Sequence, residues 1–145
     1  MKLRKTNEIT DFFICFIDGA SRGNPGNAGI GIVIKDNKGK NIKEIKEYIG
    51  NNITNNVAEY TALLRLLNEL IKMNIKKTII NLDSELIVKQ IEGVYRAKDP
   101  IMKKFLSNIR KLEENFEIIK YNLIPRQKNK QADKLANIAI NLAAK

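Results

Sequence analysis

Apolar residues recur along this chain with two different periods. Phe12 to Ile17 is an unbroken apolar run of strand length, too short for a helix, and it reads as a buried central strand that stops at Asp18. The stretch Gly19 to Gly29 holds four glycines and Pro25 and is expected to be a loop. It leads into Ile30-Gly31-Ile32-Val33-Ile34, a second strand, and Asp36-Asn37-Lys38-Gly39 then makes a turn. Ile42 to Ile49 mixes β-branched with charged residues as a third strand solvated on one side. From Val57 the period changes: Val57, Tyr60, Leu63, Leu64, Leu67, Leu70 and Ile71 share one helical face, with Asn55 and Asn56 placed as caps. Thr78 to Leu82 predicts a fourth strand, Ser84 to Ile91 a short helix, and Pro100 opens another helix to about Glu113. Phe116 to Leu123 predicts a fifth strand. After Pro125 a last helix carries Ala132, Leu135, Ala136, Ala139 and Leu142 on one face.

This order of elements makes a claim about space if the helices cover the faces of one mixed sheet. With strand one pointing up, strand two runs down and strand three up. The long helix then begins at the top edge and descends into a fourth strand parallel to the first. Asp18 ends strand one, Asp83 ends strand four, and Glu59 and Asp133 lie near the starts of two helices, so all four acids are expected at the same edge. If strand four pairs with strand one on the side away from strand two, their carboxyl ends flank a switch point where open α/β sheets place ligands.

The composition narrows the function. The 145 residues suit one domain, 1–145, with 1–11 as a short N-terminal segment, and 43% hydrophobic with 29% charged residues is ordinary for a soluble globular chain. The single cysteine, Cys15, lies in an apolar run and suits a reducing cytoplasm. No apolar run approaches the ~20 residues needed to cross a bilayer, and no signal-type core follows Met1, so a cytoplasmic protein away from the membrane is expected. The formal charge of +10 favours a polyanionic partner, although abundant lysine, asparagine and isoleucine also fit an AT-rich genome.

Each acid has a structural explanation of its own. Asp18 can begin a turn, Asp83 can cap the following helix, Asn56 and Glu59 have capping-box spacing, and Asp133 suits the positive end of a helix dipole. Capping does not require the four to converge, and like charges so close need neutralising. Mg²⁺ takes oxygen ligands, and the chain has no histidine and one cysteine to favour zinc. Several carboxylates can hold two such ions roughly 4 Å apart, the arrangement that clamps both oxygens of an in-line phosphoryl displacement.

At these residues the chain resembles type 1 ribonuclease H. The matching pieces are Asp18-Gly19-Ala20-Ser21 with Gly23-Asn24-Pro25-Gly26, Thr54-Asn55-Asn56-Val57-Ala58-Glu59, Asp83-Ser84-Glu85, and Gln131-Ala132-Asp133-Lys134-Leu135-Ala136. The resemblance implies a mixed α/β fold with a five-stranded sheet of order 3-2-1-4-5 and helices on both faces. It implies an endonuclease cutting the RNA strand of an RNA/DNA hybrid to leave 5′-phosphate and 3′-hydroxyl ends. Asp18, Glu59, Asp83 and Asp133 would then be catalytic and hold two Mg²⁺ ions, with Mn²⁺ as substitute. It also implies hybrid contacts from Asn24, Asn55, Asn56 and the backbone at Gly19. No obligate protein partner is inferred, and a monomer is expected.

Three departures matter. Glu85 stands where many family members have glutamine, which makes a sugar contact acceptor-only or brings a carboxylate near the metals. A short connection replaces the family's basic handle helix, leaving Tyr95, Arg96 and Lys98 as candidate grips on the DNA strand. The loop before the last helix carries Arg126, Lys128 and Asn129 where well-known members have a histidine, so Arg126 and Asn129 are further candidate contacts. The pattern looks most like the short archaeal and bacterial branch, some of which also attack RNA/RNA duplexes. Rival readings are a nucleotide-binding protein, which lacks a phosphate-loop motif; a resolvase or integrase core, against which the paired Asn55-Asn56 argues; and a hybrid-binding module without catalysis, whose mark would be a missing carboxylate.

Overall fold

The computed structural model describes residues 12–144. The expected segment 1–11 lies outside them. Five strands form one sheet of order β3-β2-β1-β4-β5: β1 (Phe12–Arg22), β2 (Gly26–Lys35), β3 (Asn41–Ile53), β4 (Lys77–Leu82) and β5 (Ile118–Leu123). The first three are antiparallel neighbours, while β4 runs parallel to both β1 and β5. The mixed sheet anticipated from the resemblance is therefore present, in the same order.

Among the described residues four helices cover it: α1 (Asn55–Lys72), α2 (Glu85–Ile91), α3 (Pro100–Glu113) and α4 (Lys130–Ala143). α1 packs on β1 and β2, and its apolar stripe of Leu63, Leu66, Leu67 and Leu70 is buried with Cys15, Ile17, Ile30, Ile32 and Ile34. α4 packs on β2, β1 and β3, where a Cβ on Gly31 would stand 2.0 Å from the Ala132 carbonyl oxygen. Glycine in mid-strand here lets a helix backbone lie directly on the sheet. Among the described residues no helix is long and apolar enough to cross a membrane.

Several local expectations change. The segment Gly19 to Gly29 is mostly strand, and the chain leaves the ladder only around 23–25. Its glycines were read as loop formers, whereas Gly19 permits close backbone approach. Thr54 caps α1, its hydroxyl accepting from the Val57 N–H at 3.2 Å, while Asn55 and Asn56 are the first helical residues. Ser84, and not Asp83, caps α2. β5 begins at Ile118, not Phe116, and a 3₁₀ turn at Arg126–Lys128 precedes α4. Leu142 is 57% exposed and lies outside the apolar face of α4.

Candidate active site

Parallel pairing of β1 with β4 aligns their carboxyl ends. The register pairs Phe16 with Asn81, so Asp18 and Asp83 follow at equal distance beyond that pair on adjacent strands. Glu59 comes from the first turns of α1, which lies so close to β1 that a Cβ on Gly19 would stand 2.3 Å from the Ala58 carbonyl carbon. That approach lets the Gly19 N–H donate to Glu59 Oε1 at 3.1 Å. One carboxylate oxygen from each of Asp18, Glu59 and Asp83 lies within 4.8 Å of the others. Asp133, in the first turn of α4, lines the same cleft of about 420 Å³ and reaches the Asp18 carboxyl.

Crowding of these acids has an electrostatic consequence. Burial raises the pKa of Asp18, and the charges of Glu59, Asp83 and Asp133 raise it further. Burial likewise raises Glu59, with Asp83 adding to it, while the Gly19 N–H and the Arg126 guanidinium pull part of the way back. Protein cations thus neutralise the cluster incompletely. A set of hard oxygen donors, partly buried and held against mutual repulsion, fits a divalent cation, and Asp18, Glu59, Asp83 and Asp133 are the residues that would hold it.

Two amides brace the outer acids. Asn129 is 1% exposed, and its Nδ2 donates at 2.8 Å both to the Ile17 carbonyl and to Asp83 Oδ2. Its Oδ1 is buried without a partner among the described residues, which costs about 1–3 kcal/mol. Asn129 also occupies the N-cap position of α4 without capping it by its side chain, forgoing a contribution of about 1 kcal/mol. Asn137 Nδ2 donates to Asp133 Oδ1 at 3.2 Å, and Arg22 Nη2 to Asn137 Oδ1 at 3.1 Å. The sequence reading missed Asn137 and Arg22; the spacing of Asn137 four residues after Asp133 on a helix was the available signal.

The expected substrate contacts divide by position. Gly19, Asn55, Asn56, Glu85 and Arg126 line the cleft with the acids. Asn24 supports it from the β1–β2 turn: its Oδ1 accepts from the Asn55 N–H at 2.9 Å, and Asn55 Oδ1 accepts from the Ser21 N–H at 2.9 Å. Tyr95, Arg96 and Lys98 are exposed on the connection between α2 and α3, away from the cleft wall. The Tyr95 hydroxyl donates to Glu85 Oε2 at 3.3 Å, which ties that connection to the rim. Asn129, expected as a surface contact, is turned inward.

The reverse transcriptase-like protein family matches residues 16–139. LC11-RNase H1, solved in complex with an RNA/DNA hybrid, superposes with a TM-score of 0.87 at 42% identity over 92% of this chain and 99% of that one. The chain belongs to the type 1 ribonuclease H family. Ribonuclease HI of Halobacterium salinarum is 36% identical over 126 residues, which are 87% of this chain and 63% of that protein. A bifunctional protein of Mycobacterium tuberculosis is 39% identical over 128 residues, 88% of this chain. This ribonuclease H domain spans about a third of the mycobacterial relative, 35% of its length.

Proposed function

We propose that this chain is an endoribonuclease that hydrolyses the RNA strand of RNA/DNA hybrids, using Mg²⁺ held by Asp18, Glu59, Asp83 and Asp133. The observation that carries the reading is the convergence of the Asp18, Glu59 and Asp83 carboxylates within 4.8 Å at one sheet edge. Asp18, Glu59, Asp83 and Asp133 would hold divalent ions there, which would supply Lewis-acid stabilisation for phosphodiester hydrolysis, and the products would carry 5′-phosphate and 3′-hydroxyl ends. The chain's own residues do the rest. The exposed basic side chains that follow from a +10 charge hold the polyanion, and an otherwise acidic notch admits its backbone only where cations offset the carboxylates.

Asn55 and Asn56 line the cleft beside the acids on the first turn of α1 and would meet the sugars of the scissile strand, where the 2′-hydroxyl distinguishes RNA from DNA. Arg126 offers a fixed positive charge at the same cleft, suited to a phosphate oxygen. Tyr95, Arg96 and Lys98 form an outlying contact for the DNA strand. A monomer acting in the cytoplasm belongs to the same reading, which the buried, unpaired Cys15 supports because such a thiol suits a reducing compartment.

End-labelled RNA/DNA hybrid, RNA/RNA, DNA/DNA and single-stranded RNA, each incubated with Mg²⁺, Mn²⁺ or EDTA, test the proposal. Metal-dependent cleavage of the hybrid's RNA strand is expected. A gel shift of the hybrid with no cleavage in any metal would instead make the chain a binding module.

A further inference from the structure

We propose that Asn129 is a positioning residue for the metal site, a neutral clamp that fixes the Asp83 carboxylate against the end of β1. The inference rests on the reading of Asp18, Glu59 and Asp83 as metal ligands. A single amide nitrogen ties one of them, Asp83, to the strand end that carries another: one N–H goes to the carbonyl of Ile17, the residue before Asp18, and the other to Asp83 Oδ2, both at 2.8 Å. The Ile17 carbonyl can only accept, so the nitrogen and not the oxygen must face it. Both N–H groups are then used, and the distance between the β1 and β4 acids is set through one rigid planar group.

Other roles for Asn129 do not account for what it gives up. It stands where an asparagine normally caps a helix, yet its side chain caps nothing and its Oδ1 stays buried without a partner among the described residues. At 1% exposure it is too enclosed to meet a nucleic acid directly. A neutral amide also suits this place chemically. Lysine or arginine would hold Asp83 equally well but would bring a positive charge that competes with the cation, whereas aspartate would set an oxygen against two acceptors.

Mn²⁺ titration of the full chain without nucleic acid, followed by water-proton relaxation, tests the clamp. Groups that orient metal ligands typically contribute about ten- to hundredfold to metal affinity. Asn129→Ala is therefore expected to weaken Mn²⁺ binding by at least about tenfold while melting cooperatively. Because the effect runs through Asp83, Asn129→Ala should change Mn²⁺ affinity little in an Asp83→Asn background. At saturating Mn²⁺ its KM for hybrid should match that of the parent. Parental Mn²⁺ affinity in a folded Asn129→Ala protein, an undiminished effect in the Asp83→Asn background, or a raised KM with unchanged metal affinity would each overturn the proposal.

Should Asn129→Ala not fold, the parent decides. Its Asn129 side-chain amide signals in a ¹H–¹⁵N spectrum should be protected from exchange and should shift when Mg²⁺ is added; rapidly exchanging, unshifted signals would overturn the clamp. A parent that binds Mn²⁺ but cuts no hybrid defeats the nuclease reading alone and leaves the titration to judge Asn129. A parent that binds no metal defeats both.

Discussion

Glu59 and Glu69 lie on the same helix, are 8% and 2% exposed, and are driven in opposite directions. Glu69, towards the far end of α1, receives Arg65 Nη1 at 2.7 Å and Lys43 Nζ at 2.5 Å, and these partners hold its carboxyl down at about 2. Arg65 also reaches Glu47 at 3.1 Å, so that end of the helix is a network whose charges are matched by protein groups. Glu59 is raised first by burial and then by the charge of Asp83, against a partial pull from the Gly19 N–H, the Arg126 guanidinium and a hydrogen bond with Asp18. Burial thus governs Glu59, with like charge adding to it, whereas at Glu69 two cations outweigh burial. A buried acid with a cation from its own chain strengthens the fold. Buried acids left mainly to one another mark a place where charge must come from outside.

The largest effect expected from breaking this contrast is on hydrolysis. Asp18→Asn and Asp83→Asn, made separately, should lower hybrid cleavage by on the order of a thousandfold or more, with hybrid binding largely kept. In EDTA their melting temperatures should equal or exceed the parent's, because each removes one member of a repelling group. Folded variants with near-parental turnover would remove these residues from the chemistry.

At the other end, Glu69→Gln should cost about 1–3 kcal/mol, below the full penalty for breaking a buried pair because Lys43 and Arg65 reach solvent. The Glu69 carboxyl is depressed when folded, so its contribution is present above the unfolded value of about 4.3 and is lost as pH falls through about 2. Urea midpoints of parent and Glu69→Gln should accordingly differ at pH 7 and converge near pH 2. A gap that stays constant over that range would show that the ion pairs are not its source.

Arg126 is the cation whose charge reaches Glu59, so its removal sharpens the contrast. Arg126→Ala should lower turnover by about one order of magnitude while changing hybrid affinity less, and single-turnover rates beside equilibrium binding will separate the two. The smallest effect concerns the outlying grip. Log–log plots of hybrid affinity against salt should be steep, and Arg96→Ala with Lys98→Ala should flatten the slope by about 1–2, given roughly 0.9 per phosphate contact on B-DNA. A nearly salt-independent affinity in the parent would assign the basic excess to composition alone.

Much of this was legible without coordinates because it depends on local rules. The apolar run of β1, the helical period from Val57 and the turn at Asp36 to Gly39 each obey steric and burial constraints that act over a few residues. With the crossover rule they bring Asp18, Glu59, Asp83 and Asp133 to one edge. The same local rules misled at Gly19 to Gly29, since glycine serves tight turns and close packing alike, and only the helix lying across it tells which. Caps shifted for a related reason: Thr54, Asn55 and Asn56 are all competent, but the Asn55 side chain accepts from the distant Ser21 N–H and Thr54 accepts from Val57.

What the sequence by itself determined was the set of carboxylates, the order of the elements that carry them, and the positive charge of the chain around them. Tertiary structure decided how the acids are held. Asn129 looked like an exposed loop amide and became the brace between β1 and Asp83, Asn137 with Arg22 took up Asp133, and Glu59 parted from Glu69. The physical reason is that charge and hydrogen bonding act through space, over a few ångströms, between residues that the chain places far apart. Ile17 and Asn129 are 112 positions from one another in sequence and 2.8 Å apart in the fold.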